Sequence, residues 1–64
     1  MKNKYITILD FVDGRVYQYD VSFQVNELGW QPDNDNCEVY IVNKGHSLSN
    51  CEWMVHSDPQ LITT

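Results

Sequence analysis

Cysteine and histidine offer the widest range of chemistry in this chain, and the sequence holds two of each: Cys37, Cys51, His46 and His56. Thiolates and imidazoles are the ligands that zinc prefers. Successive members of this set are nine, five and five residues apart, without the short spacing that brings two ligands to one ion. We therefore predict no metal site and expect both cysteines to act as small apolar residues of the core.

A second group has the residue types of a hydrolytic triad: Ser47, Ser49, His46, His56 and Asp58. The G-x-S-x-G motif of a nucleophile elbow is absent, and Gly45-His46-Ser47 is more typical of a helix end. Cys51 as a nucleophile is disfavoured because its strand pattern turns it inward. A chain of 64 residues also supplies few walls for a deep cleft. We predict a non-enzymatic protein with no catalytic residue and no cofactor.

The charge balance excludes further functions. Nine acidic residues face four basic ones, which gives a net charge of -5, so direct binding of nucleic acid is not expected. The longest apolar run, residues 39–42, is too short to cross a membrane, and the first ten residues lack the pattern of a secretion signal. We expect a cytosolic chain with reduced thiols. The surplus acid either keeps a small domain soluble or imitates the phosphates of a nucleic acid.

These side chains must be positioned by a small fold, and its clearest element is a β-hairpin over residues 4–23. Asp13-Gly14 is a strong turn signal, and β-forming residues alternate after it: Tyr17, Tyr19, Val21 and Phe23. A two-residue loop places Ile8 opposite Tyr19. A three-residue loop with a bulge shifts the pairing by one and exposes Ile6 and Ile8. We favour the first register because two exposed isoleucines cost more than one exposed leucine.

The remainder of the chain predicts a loop over residues 24–35, a helix over 36–45, a strand over 50–57 and a tail over 58–64. Asp35 with Glu38 resembles a capping box, and Gly45 is a suitable stop for the helix. Strand propensity in residues 37–42 keeps a strand open as the alternative. The predicted fold is a single α+β domain, residues 1–64, with order ββαβ and one helix covering one face of a three-stranded sheet.

Such a fold leaves one sheet face and two strand edges without cover, which suggests a surface for a partner and makes a homodimer possible. The chain also has more tyrosine and tryptophan than so small a core can bury, and these residues are favoured at interfaces. We predict a partner-binding set that combines exposed aromatic and acidic residues: Trp30, Tyr17, Asp20, Asp33 and Asp35.

Two segments carry a resemblance to a known group. Residues 43–58 read NKGHSLSNCEWMVHSD, and residues 5–14 follow the pattern Y-x-x-I-L-D-F-x-D-G. Together they cover roughly half of the chain and resemble small acidic accessory proteins of tailed bacteriophages. The resemblance implies a phage product that acts in the host bacterial cytoplasm, and it brings no activity or functional residue with it.

The leading hypothesis is therefore a non-enzymatic phage accessory protein that binds and modulates or inhibits a host bacterial protein. One alternative is an acidic mimic of nucleic acid that blocks a host DNA- or RNA-processing enzyme. Another is a self-assembling structural protein that pairs through a free strand edge.

Overall fold

A computed structural model describes residues 3–59, and in these residues the chain forms an α+β fold with the predicted order ββαβ. The strands are β1 (Tyr5–Asp10), β2 (Arg15–Asp20) and β3 (Cys51–His56). They form an antiparallel sheet in the order β2-β1-β3, so β1 lies in the centre. Two helices, α1 (Ser22–Asn26) and α2 (Asn34–Asn43), and a 3-10 turn (Leu48–Asn50) connect β2 to β3.

The hairpin keeps the predicted faces but shifts the predicted register by two residues. Ile8 lies opposite Tyr17 rather than Tyr19, because residues 11–14 form a four-residue loop. The carboxylate of Asp10 closes this loop by accepting hydrogen bonds from the backbone N–H groups of Val12 at 2.9 Å and Asp13 at 3.1 Å. A shift by an even number leaves Ile6 and Ile8 turned inward. The bulged alternative, which exposes both isoleucines, is wrong.

The core lies between one face of the sheet and α2. It combines apolar residues from two of the strands, both helices and the position just before α1: Ile6, Ile8, Val21, Val25, Cys37, Ile41 and Cys51. Cys37 and Ile41 are the buried residues of α2, so this helix packs against the face of the sheet that carries Ile6 and Ile8. The interpretation of both cysteines as core residues is confirmed.

The ends of α2 explain where the helix lies. Asp33 is the N-cap, because its side chain accepts a hydrogen bond from the backbone N–H of Asn36 at 2.9 Å. The helix therefore begins two residues earlier than Asp35 predicted. At the other end the backbone N–H of His46 donates to the carbonyl oxygen of Ile41 at 3.2 Å. The backbone N–H of Gly45 donates to the carbonyl oxygen of Val42 at 2.9 Å.

These two bonds form a Schellman motif, which needs a residue with positive φ at Gly45, here +92°. The predicted glycine stop is thus confirmed, and the strand alternative for this segment is wrong.

One element was not predicted. The alternation through Val21 and Phe23 suggested a strand to residue 23, but β2 ends at Asp20. The Asp20 carboxylate accepts hydrogen bonds from the backbone N–H of Ser22 at 2.9 Å and from its hydroxyl at 2.5 Å, which turns the chain into α1. Phe23 is consequently 63% exposed instead of facing the core. The segment predicted as a loop from residue 24 begins inside this helix.

The third strand, predicted over residues 50–57, is observed at Cys51–His56. Of the predicted tail, residues 58 and 59 have no regular structure, and residues 60–64 lie outside the described residues.

Candidate functional site

The face of the sheet opposite α2 is open and partly apolar. Leu9 of β1 lies directly opposite Val16 of β2. Met54 of β3 lies opposite Thr7, which is two residues before Leu9 on β1 and on the same face. These three apolar side chains are 45%, 54% and 57% exposed. They come from three adjacent strands, so they form one continuous patch, which we call the open-face patch (Leu9, Val16 and Met54).

A shallow depression of about 330 Å³ lies at this patch and is also lined by Thr7, Glu52 and Trp53. Apolar atoms therefore dominate a concave surface, and Glu52 places an exposed acid at its border. Concave apolar surfaces with a few polar groups are typical of binding sites.

The other half of the same face is polar and internally hydrogen-bonded. His56 must donate from Nδ1 to the carbonyl of Asp58 at 2.6 Å, because a carbonyl oxygen accepts. Nε2 of the same ring shares a hydrogen bond with the Thr7 hydroxyl at 2.5 Å, and the amide of Gln18 donates to the same Thr7 oxygen at 3.2 Å. These polar groups therefore have hydrogen-bond partners within the protein. The apolar side chains on the other half of the face remain about half exposed to solvent.

The covered face contains a buried polar network at the hairpin turn. Asp10 and His46 are only 5% and 8% exposed. The carboxylate accepts from Nδ1 of His46 at 2.5 Å, and Nε2 of the same ring shares a hydrogen bond with the Tyr19 hydroxyl at 2.8 Å. The hydrogen bond from His46 is the main cause that lowers the pKa of Asp10, with help from the backbone N–H of Asp13.

Aromatic rings surround this Asp10–His46–Tyr19 network. Tyr17 packs edge-on to His46 at 4.7 Å between ring centroids and donates to Asp13 at 2.5 Å, a bond that raises the pKa of Tyr17. Lys44 places its ammonium 5.5 Å from the ring centroid of Tyr19. A cavity of about 270 Å³ lies here.

Within residues 3–59 no buried polar side-chain atom lacks a partner. Both nitrogens of His46 are engaged, so the ring has none left to act as a base on a bound molecule. The network instead ties the hairpin turn to the end of α2.

The residues considered for catalysis are not assembled. The Ser47 hydroxyl pairs with that of Ser49 at 3.1 Å, while His46 turns to Asp10 and His56 to Thr7. Burial raises the pKa of the Cys37 thiol to about 11 and also raises that of Cys51, so both remain protonated near neutral pH. Across the described part of the chain, no three Cys, His, Asp or Glu side chains are grouped to hold a metal ion.

The five predicted partner-binding residues do not share one surface. Tyr17 and Asp20 lie on opposite faces of β2, and Asp20 is held by Ser22. Asp33 caps α2, Asp35 is exposed in its first turn, and Trp30 is half-buried against Tyr40 at 5.9 Å between ring centroids. Their role in binding stays a prediction.

Sequence reasoning did not select Leu9, Val16 or Met54. A signal for Leu9 was present, because β1 is apolar on both of its faces. An outward apolar residue in the central strand indicates a second apolar surface.

No known protein-family model matches the chain, and no curated protein or solved structure is significantly similar to it. Among the described residues, no helix is both long and apolar enough to pass through a bilayer.

Proposed function

We propose that this chain is a non-enzymatic accessory protein of a tailed bacteriophage that binds and modulates a host bacterial protein in the host cytoplasm. The phage origin rests on the sequence resemblance, and the binding surface rests on the fold. The observation that carries the proposal is the open-face patch, where three large apolar side chains from adjacent strands are each about half exposed or more. Contiguous apolar surface of this kind marks interaction sites.

The partner contributes an amphipathic helix that lies across this patch. A sheet with an apolar face is ordinarily covered by a second layer, and α2 already supplies that layer on the opposite face. A partner helix would complete the arrangement on the bare side. Burial of apolar surface there stabilises the complex by ~25 cal/mol per Å².

A second copy of the chain is a poorer occupant. Each copy carries a net charge of -5, and Glu52 borders the patch itself, so self-association would bring like charges together. Self-assembly is therefore an outcome that the experiment must detect, and the proposed complex is between different proteins.

Mimicry of nucleic acid stays a second possibility with less support. It requires acidic side chains that are free to meet a basic groove. Asp10 is buried against His46, Asp20 holds Ser22 and Asp33 caps α2, so three of the nine acids serve the fold.

A differential capture experiment tests the proposal. Leu9→Gln/Met54→Gln makes the open-face patch polar without changing charge, and Val39→Gln/Val42→Gln makes the same change on the outer side of α2. We expect a stoichiometric bacterial protein that is retained by the wild type and by the helix variant but lost by the open-face variant. Retention by both variants contradicts the proposal.

Two further measurements separate the alternatives. Release of the captured protein by DNA and by moderate salt would favour mimicry. A dimer in sedimentation that is absent from the open-face variant would favour self-assembly.

A further inference from the structure

The outer side of α2 carries a second apolar surface, separate from the open-face patch. Val39 and Val42 are 61% and 51% exposed, and Leu48 of the 3-10 turn beside them is 39% exposed. A groove of about 400 Å³ runs along these residues and is completed by Asp35, Glu38 and Asn43. We call it the helix groove.

Folding does not account for the two valines. The helix packs on the sheet through Cys37 and Ile41, so Val39 and Val42 are not needed for the core. Valine is also a weak helix former, because its branched side chain loses rotamer freedom in a helix. Val39 and Val42 therefore neither stabilise the helix nor interact well with water. Their presence on its surface indicates a contact with another molecule.

We propose that the helix groove binds a basic amphipathic segment of another protein. Asp35 and Glu38 supply carboxylates along the apolar stripe, and none of the six lining residues is basic. Lys44, the cation nearest in sequence, lies instead over the rings of Tyr19 and Tyr40. The local excess of negative charge in the helix groove is complementary to Lys or Arg on the partner.

The geometry sets the spacing of that segment. Asp35 and Val42 are seven residues apart on α2, which corresponds to about two turns and roughly 10 Å. A partner helix would place apolar side chains over Val39 and Val42 and its cations within one turn of them. A second copy of this chain would oppose the same carboxylates to each other, so it does not fit.

This surface is independent of the proposed function. Because α2 contacts the sheet through its Cys37 and Ile41 side, the helix groove and the open-face patch point away from each other. Both can be occupied at once, which makes the chain a two-sided adaptor.

The test uses two helical peptides of about 16 residues, a length that sustains an isolated helix. One has leucines along one face with lysines one turn away, and the other has glutamate in place of every lysine. Each is titrated into the full ¹⁵N-labelled chain. We expect only the lysine peptide to bind, with shifts confined to the amides of residues 35–48 and an affinity that falls as salt rises.

Variants complete the test. Val39→Gln/Val42→Gln and Asp35→Asn/Glu38→Gln should each weaken binding of the lysine peptide about tenfold. Leu9→Gln/Met54→Gln should leave it unchanged, so failure here is distinct from failure at the open-face patch. The first variant should not lower the melting temperature, since glutamine is the better helix former.

The inference is overturned if the two peptides bind equally or if the shifts lie elsewhere. Unchanged affinity in the valine variant also overturns it. The inference is also overturned if the wild type forms a dimer that Val39→Gln/Val42→Gln abolishes.

Discussion

Ile8 and Leu9 are neighbours in the central strand of the sheet, and their surroundings are opposite. Ile8 is fully buried beneath α2, whereas Leu9 is 45% exposed on the other face. The same contrast extends over the sheet. The covered face carries the core and the Asp10–His46–Tyr19 network, and the open face carries the open-face patch.

This difference between the two faces assigns them different roles in our account: the covered face stabilises the fold, and the open face is proposed to bind a partner. On the covered face every apolar side chain that α2 buries contributes to stability. On the open face Leu9, Val16 and Met54 are only about half buried within the chain, so their removal should affect a complex more than the fold. The two faces should therefore respond differently to matched substitutions.

The largest expected effect is on the covered face. Ile8→Ala should cost about 2–5 kcal/mol, because it leaves a cavity at a fully buried position. A domain of this size is stable by only a few kcal/mol, so the variant should be mostly unfolded at 25 °C. Leu9→Ala should cost less than about 1 kcal/mol. Urea denaturation followed by tryptophan fluorescence measures both.

Equal losses for Ile8→Ala and Leu9→Ala would remove the distinction between the faces. Such a result would mean that the open face is packed in solution by residues of the chain itself.

The next effect concerns the buried network and pH. The pKa of Asp10 is lowered in the folded chain, first by the hydrogen bond from His46. Its contribution to stability is therefore fully present above the ordinary value of 3.8 and is lost as pH falls through 3.8 toward the lower folded value. Asp10→Asn should weaken the chain at neutral pH and flatten the decline of stability between about pH 5 and pH 2.

Glu27→Gln is the matched control, because Glu27 is exposed at the end of α1. It removes one carboxylate without touching the network, so its acid profile should follow the wild type. Parallel profiles for Asp10→Asn and the wild type would show that the Asp10–His46 bond contributes nothing in solution.

A smaller effect concerns α2, the helix that creates the covered face. Asp33→Ala should cost about 1 kcal/mol, because it removes the N-cap hydrogen bond to Asn36. Asp35→Ala should be close to neutral, since the lost favourable charge in the first turn is offset by the better helix propensity of alanine. Thermal melts by circular dichroism compare the two. A larger loss at Asp35 would mean that the helix begins where the capping-box pattern placed it.

A small change in stability is also expected for Leu9→Gln/Met54→Gln on the open face. Exposed substitutions of this type usually alter the free energy of unfolding by about 0.5 kcal/mol or less each. The urea midpoint should stay close to that of the wild type. A large drop would make this variant unsuitable for binding measurements and would place the open-face patch among the groups that hold the fold.

Much of the fold followed from local sequence signals. The glycine stop at Gly45 fixed the end of α2, and the cost of exposing two isoleucines fixed which face of β1 is buried. The register was wrong by two residues because the side chain of Asp10 closes the loop through local bonds to the backbone of Val12 and Asp13, which the Asp13-Gly14 signal alone does not encode. The helix α1 was missed because Val21 and Phe23 continue the alternation of a strand.

The site was less predictable. Asp10 and His46 are 36 residues apart in the chain and meet only because the end of α2 returns to the hairpin. The acids chosen for partner binding proved to have partners inside the chain at Asp20 and Asp33, since carboxylates in turns often bond to the backbone. Leu9 and Met54 could be recognised as parts of one apolar surface only from the strand order, which places them on adjacent strands.

The central claim is that the open face of the sheet is the binding surface, and amide shift mapping tests it most directly. The captured bacterial partner is purified and titrated into the ¹⁵N-labelled chain. We expect the amides of Leu9, Val16 and Met54 and their strand neighbours to shift or broaden, and Leu9→Gln/Met54→Gln to abolish these changes. Saturation of the complex with those amides unperturbed would contradict the claim.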